Sequence, residues 1–132
     1  MVRETLDYTL KVTLTEDQTR RGLLYAGTRF GVHISYDDGG TWESLSLNLP
    51  RVPIADLIVE ANALVLGTHG RSFYVLDNIE PLRQFAPAIA SSADPYLFKP
   101  ANAIRSGGAA SIQYWLKRPA QSVAIEIIDR AG

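Results

Sequence analysis

Residues 6–14 alternate with period two: Leu6, Tyr8, Leu10, Val12 and Leu14 fall on one side, Asp7, Thr9, Lys11 and Thr13 on the other. That spacing predicts a half-buried strand, and the Thr and β-branched content agrees with it. Thr15 to Gly22 is polar and charged and reads as a loop. Leu23 to Thr28 reads as a second short strand and Val32 to Ser35 as a third. A turn at Asp37-Asp38-Gly39-Gly40 then leads into a fourth strand from Thr41 to about Leu47. Four short strands joined in succession by turns predict an antiparallel meander.

The pattern partly repeats. Leu24-Tyr25-Ala26-Gly27-Thr28 lines up with Leu64-Val65-Leu66-Gly67-Thr68, forty residues later. Ile54 to Glu60 takes the place of the first strand, and Phe73 and Val75 take the places of Val32 and Ile34 with one extra loop residue. In the second copy Asp77-Asn78-Ile79-Glu80 occupies the turn, with no glycine and no tryptophan after it. A forty-residue period of short strands is the pattern of a β-propeller blade. The expected fold class is therefore all-β, with two antiparallel four-stranded blades over residues 1–48 and 49–100.

Past Glu80 the character changes. Pro81, Leu82, Phe85 and Ile89 suggest a helical turn or two, because Pro is tolerated at the first helical position. Tyr96-Leu97-Phe98 is a short strand candidate, and residues 101–110, with Gly107-Gly108, read as a linker. Residues 111–132 then read as a β-hairpin with its own core face: Ile112, Tyr114 and Leu116 alternate before a Lys-Arg-Pro-Ala-Gln turn and the run Val123 to Ile128. The final Asp129-Arg130-Ala131-Gly132 is itself a turn sequence, and two blades do not close a ring, so the chain is expected to be part of a longer protein.

Composition narrows the classes. Apolar residues make up 46% of the 132, enough for a packed core. The net charge is −1 and the only basic doublets are Arg20-Arg21 and Lys117-Arg118, so no nucleic-acid partner is expected. The absence of cysteine excludes a disulfide framework, a thiolate nucleophile and a cysteine zinc site. No apolar run has the length of a membrane span, and the first seven residues have no apolar signal core.

The most informative stretch is Ser35 to Trp42. Two glycines after two aspartates suit a tight turn, since Gly adopts positive φ freely and an Asp carboxylate accepts from nearby backbone N–H groups. Asp37 reads as a side-chain cap on the turn and Trp42 as the apolar plug that leaves it. Ser35-x-Asp37-x-Gly39-x-Thr41-Trp42 resembles the Asp-box, or BNR repeat, without a mismatch. The string Thr68-His69-Gly70-Arg71-Ser72-Phe73, with Leu76-Asp77 and Pro81-Leu82-Arg83, is similar to the last blade of bacterial sortilin-like propellers, often labelled BNR glycosyl hydrolases. The tail resembles the immunoglobulin-like domain that follows that propeller. The resemblance implies a structural Asp-box at Ser35, Asp37, Gly39, Thr41 and Trp42, placed at the turn between a blade's third and fourth strands, with the aromatic packed between blades. It also implies last-blade loop contacts from His69, Arg71 and Asp77.

Sialidases, xyloglucanases, sortilin receptors and photosystem assembly factors all carry the Asp-box, so the motif specifies a blade rather than a chemistry. Asp37 and Asp38 are neighbours in a turn and point apart, unlike glycosidase carboxylates about 5–10 Å apart across a substrate. His33 and His69 are the only histidines, too few for a zinc set. Arg71 has the fork for a carboxylate, but a structural pairing with Asp77 is the simpler expectation. Trp42 and Tyr25 read as packing residues, with Tyr74 and Trp115 left open to sugar stacking. No catalytic, metal or cofactor residue is assigned. The expected role is a non-catalytic part of a sortilin-like Asp-box propeller that binds proteins or peptides or acts as a scaffold. The expected partner is the rest of the parent propeller; no compartment is assigned, the resemblance being compatible with a secreted or periplasmic parent. Two alternatives are supporting blades of a glycoside hydrolase with catalytic residues elsewhere, and a lectin-like module that binds glycans.

Overall fold

The computed structural model describes residues 13–102 and 108–131. The chain divides into two compact units between Phe85 and Ala86. In the first, β1 (Thr13–Glu16), β2 (Leu24–Thr28), β3 (Gly31–Ser35) and β4 (Glu43–Ser44) form a four-stranded antiparallel meander, here sheet A. β5 (Ile54–Glu60), β6 (Ala63–Thr68) and β7 (Phe73–Asp77) form a three-stranded meander, sheet B. Strands in antiparallel sheets dominate, with little helix, so the chain is all-β. The alternating pattern before Thr13 lies outside the described residues.

The core lies between the two sheets. Tyr25, Val32 and Ile34 from one face of sheet A pack with Leu57, Val59, Leu64 and Leu66 from one face of sheet B. Period two alone would turn Ile54 and Leu57 to opposite faces. A bulge between Ile54 and Asp56 inserts one residue, and both side chains are buried.

The two copies of the repeat use opposite faces. By the forty-residue alignment Tyr25 corresponds to Val65, yet Tyr25 is fully buried while Val65 belongs to the outward face of sheet B. On that outward face Ile58, Val65 and Val75 stand in one cross-strand row and Phe73 in the next. Phe73 is 77% exposed, whereas its counterpart Val32 is 1% exposed. The sheets therefore stack head to tail, and the covered face of the first copy is the open face of the second.

A second four-stranded sheet was expected; sheet B has three strands among the described residues. After Asp77 the chain turns at Asn78 (φ 58°), and the Ile79 N–H donates to the Asn62 carbonyl at 3.1 Å. Ile79 is fully buried, and Pro81 opens the helix α1 (Glu80–Gln84) instead of a strand. A proline in the first helical turn loses no intrahelical bond, so the Glu80-Pro81 step favours this exit.

The second unit holds α2 (Pro87–Ser91), β8 (Tyr96–Leu97) and β9 (Tyr114–Trp115). β8 and β9 pair antiparallel, and Phe98 N–H donates to the Gln113 carbonyl at 3.0 Å. The expected hairpin from Ile112 to Ile128 is not formed. Only Tyr114–Trp115 is a strand there, and residues 122–129 have no regular structure. Ile127 and Ile128 are 85% and 66% exposed, so no apolar cover holds that segment in a ladder.

Candidate functional site

The turn between β3 and β4 gathers Ser35, Asp37, Gly39, Thr41 and Trp42 into one hydrogen-bonded unit. Asp37 Oδ1 accepts from the Thr41 N–H at 2.8 Å and from the Ser35 hydroxyl at 2.8 Å. Asp37 Oδ2 accepts from the Thr41 hydroxyl at 2.8 Å. Ser35 Oγ, fully buried, in turn accepts from the Gly39 N–H at 2.9 Å. Asp38 (φ 57°) and Gly39 (φ 88°) adopt the left-handed conformation that makes the turn. Trp42 folds back over it, its indole N–H donating to the Gly39 carbonyl at 3.1 Å. It lies on its own turn, and among the described residues it is not part of the core between the sheets.

The Asp37 carboxyl is held below the ordinary carboxylate range, chiefly by the Thr41 N–H, against a smaller opposing effect of burial. Both oxygens are thus committed to the turn, and a carboxylate so occupied is poorly placed for proton transfer. Asp37→Ala is expected to lower stability by about 1 kcal/mol, the scale of a lost side-chain cap at an exposed site. Urea denaturation checks it, and an unchanged midpoint would show that the turn closes without its carboxylate.

His69, Arg71 and Asp77 are not brought together. His69 and Arg71 lie exposed in the β6–β7 loop, where His69 N–H donates to the Pro53 carbonyl at 3.1 Å. Asp77 closes β7 at its other end, opposite Ala63. The expected Arg71–Asp77 pair therefore spans a whole strand, and Arg71 is not buried.

The strongest polar cluster lies elsewhere. Asp17, 5% exposed, sits in the β1–β2 loop, where its Oδ1 accepts from the N–H groups of Thr19 and Arg20, each at 2.9 Å. Arg83 of α1 reaches it through Nε at 2.9 Å from Oδ2, and also bonds Glu80 at 3.0 Å and the Ala61 carbonyl at 2.7 Å. Burial would raise the Asp17 carboxyl, but the two N–H groups, Arg83 and the Thr19 hydroxyl together hold it below the ordinary range. Arg20 returns the contact: its Nη1 donates to the carbonyls of Leu82 and Arg83 at 3.1 and 2.9 Å, and to that of Phe85. A cation on the last carbonyls of a helix is favourable for both charge and hydrogen bonding. Arg20 also lies 5.3 Å from the Tyr36 ring, whose hydroxyl burial pushes up to about 12. Gln18 adds a bond to the Val59 carbonyl at 2.9 Å.

This double arginine clamp ties the first loop of sheet A to the exit of sheet B. Sequence reading placed Asp17 in a polar loop and Arg20 in a basic doublet. The available signal was Asp17-Gln18-Thr19 between two strands, the composition of an Asx-turn. Nothing in the chain marks Arg83 as the partner.

Among the described residues, no three His, Asp or Glu side chains converge to hold a metal ion, and no helix is long and apolar enough to cross a membrane. In the second unit, a groove of about 400 Å³ is lined mainly by apolar side chains, among them Tyr96, Leu97, Tyr114, Val123 and Ile125. Comparison with protein-family models, with curated proteins and with solved structures returned no match.

Proposed function

We propose that this chain is a non-catalytic part of an Asp-box propeller of the sortilin-like kind, serving to bind proteins or peptides or to act as a scaffold. The observation that carries this reading is the head-to-tail stacking of the two repeats. Sheet A buries the face bearing Tyr25, Val32 and Ile34 against sheet B, while sheet B leaves the corresponding face, with Ile58, Val65, Phe73 and Val75, open. A stack with one covered and one open copy of the same face extends by adding further sheets. The turn chemistry supports the same reading: Asp37 closes a turn and Asp17 is neutralised by Arg83. Neither carboxylate is free to act as an acid or base.

The test is a structure of the product of the complete reading frame that contains these residues, together with fluorogenic sialoside, glucoside and xyloside assays on this chain. The expected result is another antiparallel sheet packed on Ile58, Val65 and Val75, and no turnover. An uncovered face in that product, or glycoside cleavage by these 132 residues, would sink the proposal.

A further inference from the structure

Among the described residues sheet B ends in an open edge, and the repeat identifies which backbone groups are left over. In sheet A the Leu45 N–H donates to the Val32 carbonyl at 2.8 Å, and β4 continues that ladder along β3. In sheet B the counterparts of Val32 and Ile34 are Phe73 and Val75. The Thr68 N–H donates to the Ser72 carbonyl at 3.2 Å. From that pair, antiparallel alternation aims the backbone groups of Phe73, Val75 and Asp77 away from β6. Among the described residues nothing bonds to them.

The usual guards of an exposed edge are missing as well. Phe73–Asp77 contains no proline, no lysine and no bulge, and its single charge is Asp77 at the end. A five-residue edge strand with apolar side chains on both faces is a template for another strand.

We propose that β7 pairs with the β7 of a second copy of this chain, in an antiparallel ladder centred on Val75. That register is self-complementary. Val75 faces Val75, Tyr74 faces Leu76, and Phe73 faces Asp77, so no like charges meet. Arg71 stands two residues before Phe73, beyond the left-handed turn at Ser72 (φ 66°), so across the twofold it is a diagonal neighbour of Asp77, within reach of a long side chain. These two residues lie at opposite ends of β7 within one chain, and the pairing gives each its counter-charge. Every outward N–H and C=O of Phe73, Val75 and Asp77 gains a partner, and the two sheets B become one six-stranded sheet. The proposal goes beyond the propeller reading, since it concerns the edge of sheet B rather than its open face.

Two five-residue strands bury less than the ~1,200–2,000 Å² of a stable interface, so the dimer is reversible, half formed on the order of 100 μM. Sedimentation equilibrium of the full chain from about 5 to 500 μM is expected to show mass rising from 14.5 kDa toward twice that value. Hydrogen exchange should show the Phe73, Val75 and Asp77 amides gaining protection with concentration, and the Tyr74 amide, already bonded to β6, unchanged. Val75→Pro removes an N–H that β6 does not use and should abolish the dimer. Arg71→Asp and Asp77→Arg should each weaken it about threefold to tenfold, because the twofold places the pair in the dimer twice. The double swap should restore it, which keeps the test sound if the proline variant does not fold. A chain that stays monomeric at 500 μM overturns the proposal, as does a dimer that is unaffected by the swaps. So does a dimer lost in Ile58→Lys while the β7 amides never gain protection, because contact then runs through the open face.

Discussion

Replacing Arg83 with alanine is expected to destabilise the first unit by about 3–5 kcal/mol, because it leaves Asp17 charged, buried and without its cation. The Asp17 and Arg83 side chains are 0% and 8% exposed, so solvent screening offers little relief. A domain of this size holds only about 5–15 kcal/mol in total, so the variant should be partly unfolded at modest denaturant. The double variant Asp17→Asn/Arg83→Met separates the causes. Asn at position 17 keeps an oxygen for the Thr19 and Arg20 N–H groups, and Met fills the space of the Arg stem without demanding a counter-charge. It should therefore be more stable than Arg83→Ala alone, and guanidinium denaturation of the three proteins reads the order. A loss below about 1 kcal/mol for Arg83→Ala would mean that the clamp does not hold the sheets together.

The clamp also sets the response to acid. The Asp17 and Asp37 carboxyls both lie below the ordinary value of 3.8 in the folded protein. Their contribution to stability is full above that value and disappears as the pH falls through the lower folded values. Stability should thus drop as the pH falls below the ordinary carboxylate value of 3.8, and drop less in Asp17→Asn/Arg83→Met, which has lost the buried carboxylate.

Gly27→Ala is expected to cost about 1–3 kcal/mol, while the equivalent change at Gly67 should fall within about 0.5 kcal/mol of the parent. A Cβ on Gly27 would lie 2.5 Å from Ile54 Cγ2 and 2.7 Å from Thr13 Cγ2. Ile54 is itself buried and β-branched, so it has no spare rotamer with which to yield. On Gly67 the nearest atom would be Phe73 Cε1 at 3.7 Å, an ordinary contact on an exposed ring. Thermal denaturation of the two variants side by side makes the comparison, and equal losses at both positions would count against it. The two glycines occupy the same place in the same pentapeptide pattern. What separates them is that sheet A packs against β5 at that point while sheet B stands open.

Local sequence was enough for β2, β3, β5, β6 and β7, their antiparallel order and the forty-residue repeat, because a period of two and turn residues such as Asp37 to Gly40 act over a few neighbours. It misled where alternation has no apolar cover, as from Ile112 to Ile128. The turn chemistry from Ser35 to Trp42 is equally local, since every side-chain bond there spans four residues or fewer. The Asp38 N–H reaches out of it, to the Gly22 carbonyl at 2.9 Å. Tertiary structure decided the rest. Which face of each repeat is buried depends on what stands next to the sheet, so Val32 and Phe73 share a place in the repeat and differ in exposure. The bulge that turns Ile54 inward answers to sheet A and is not encoded in local alternation. Asp17 and Arg83 are 66 residues apart and carry no mark of each other in the chain. Their pairing exists only because a loop of the first sheet and the helix leaving the second are pressed together, and a buried charge accepts no partner but the one that packing puts beside it.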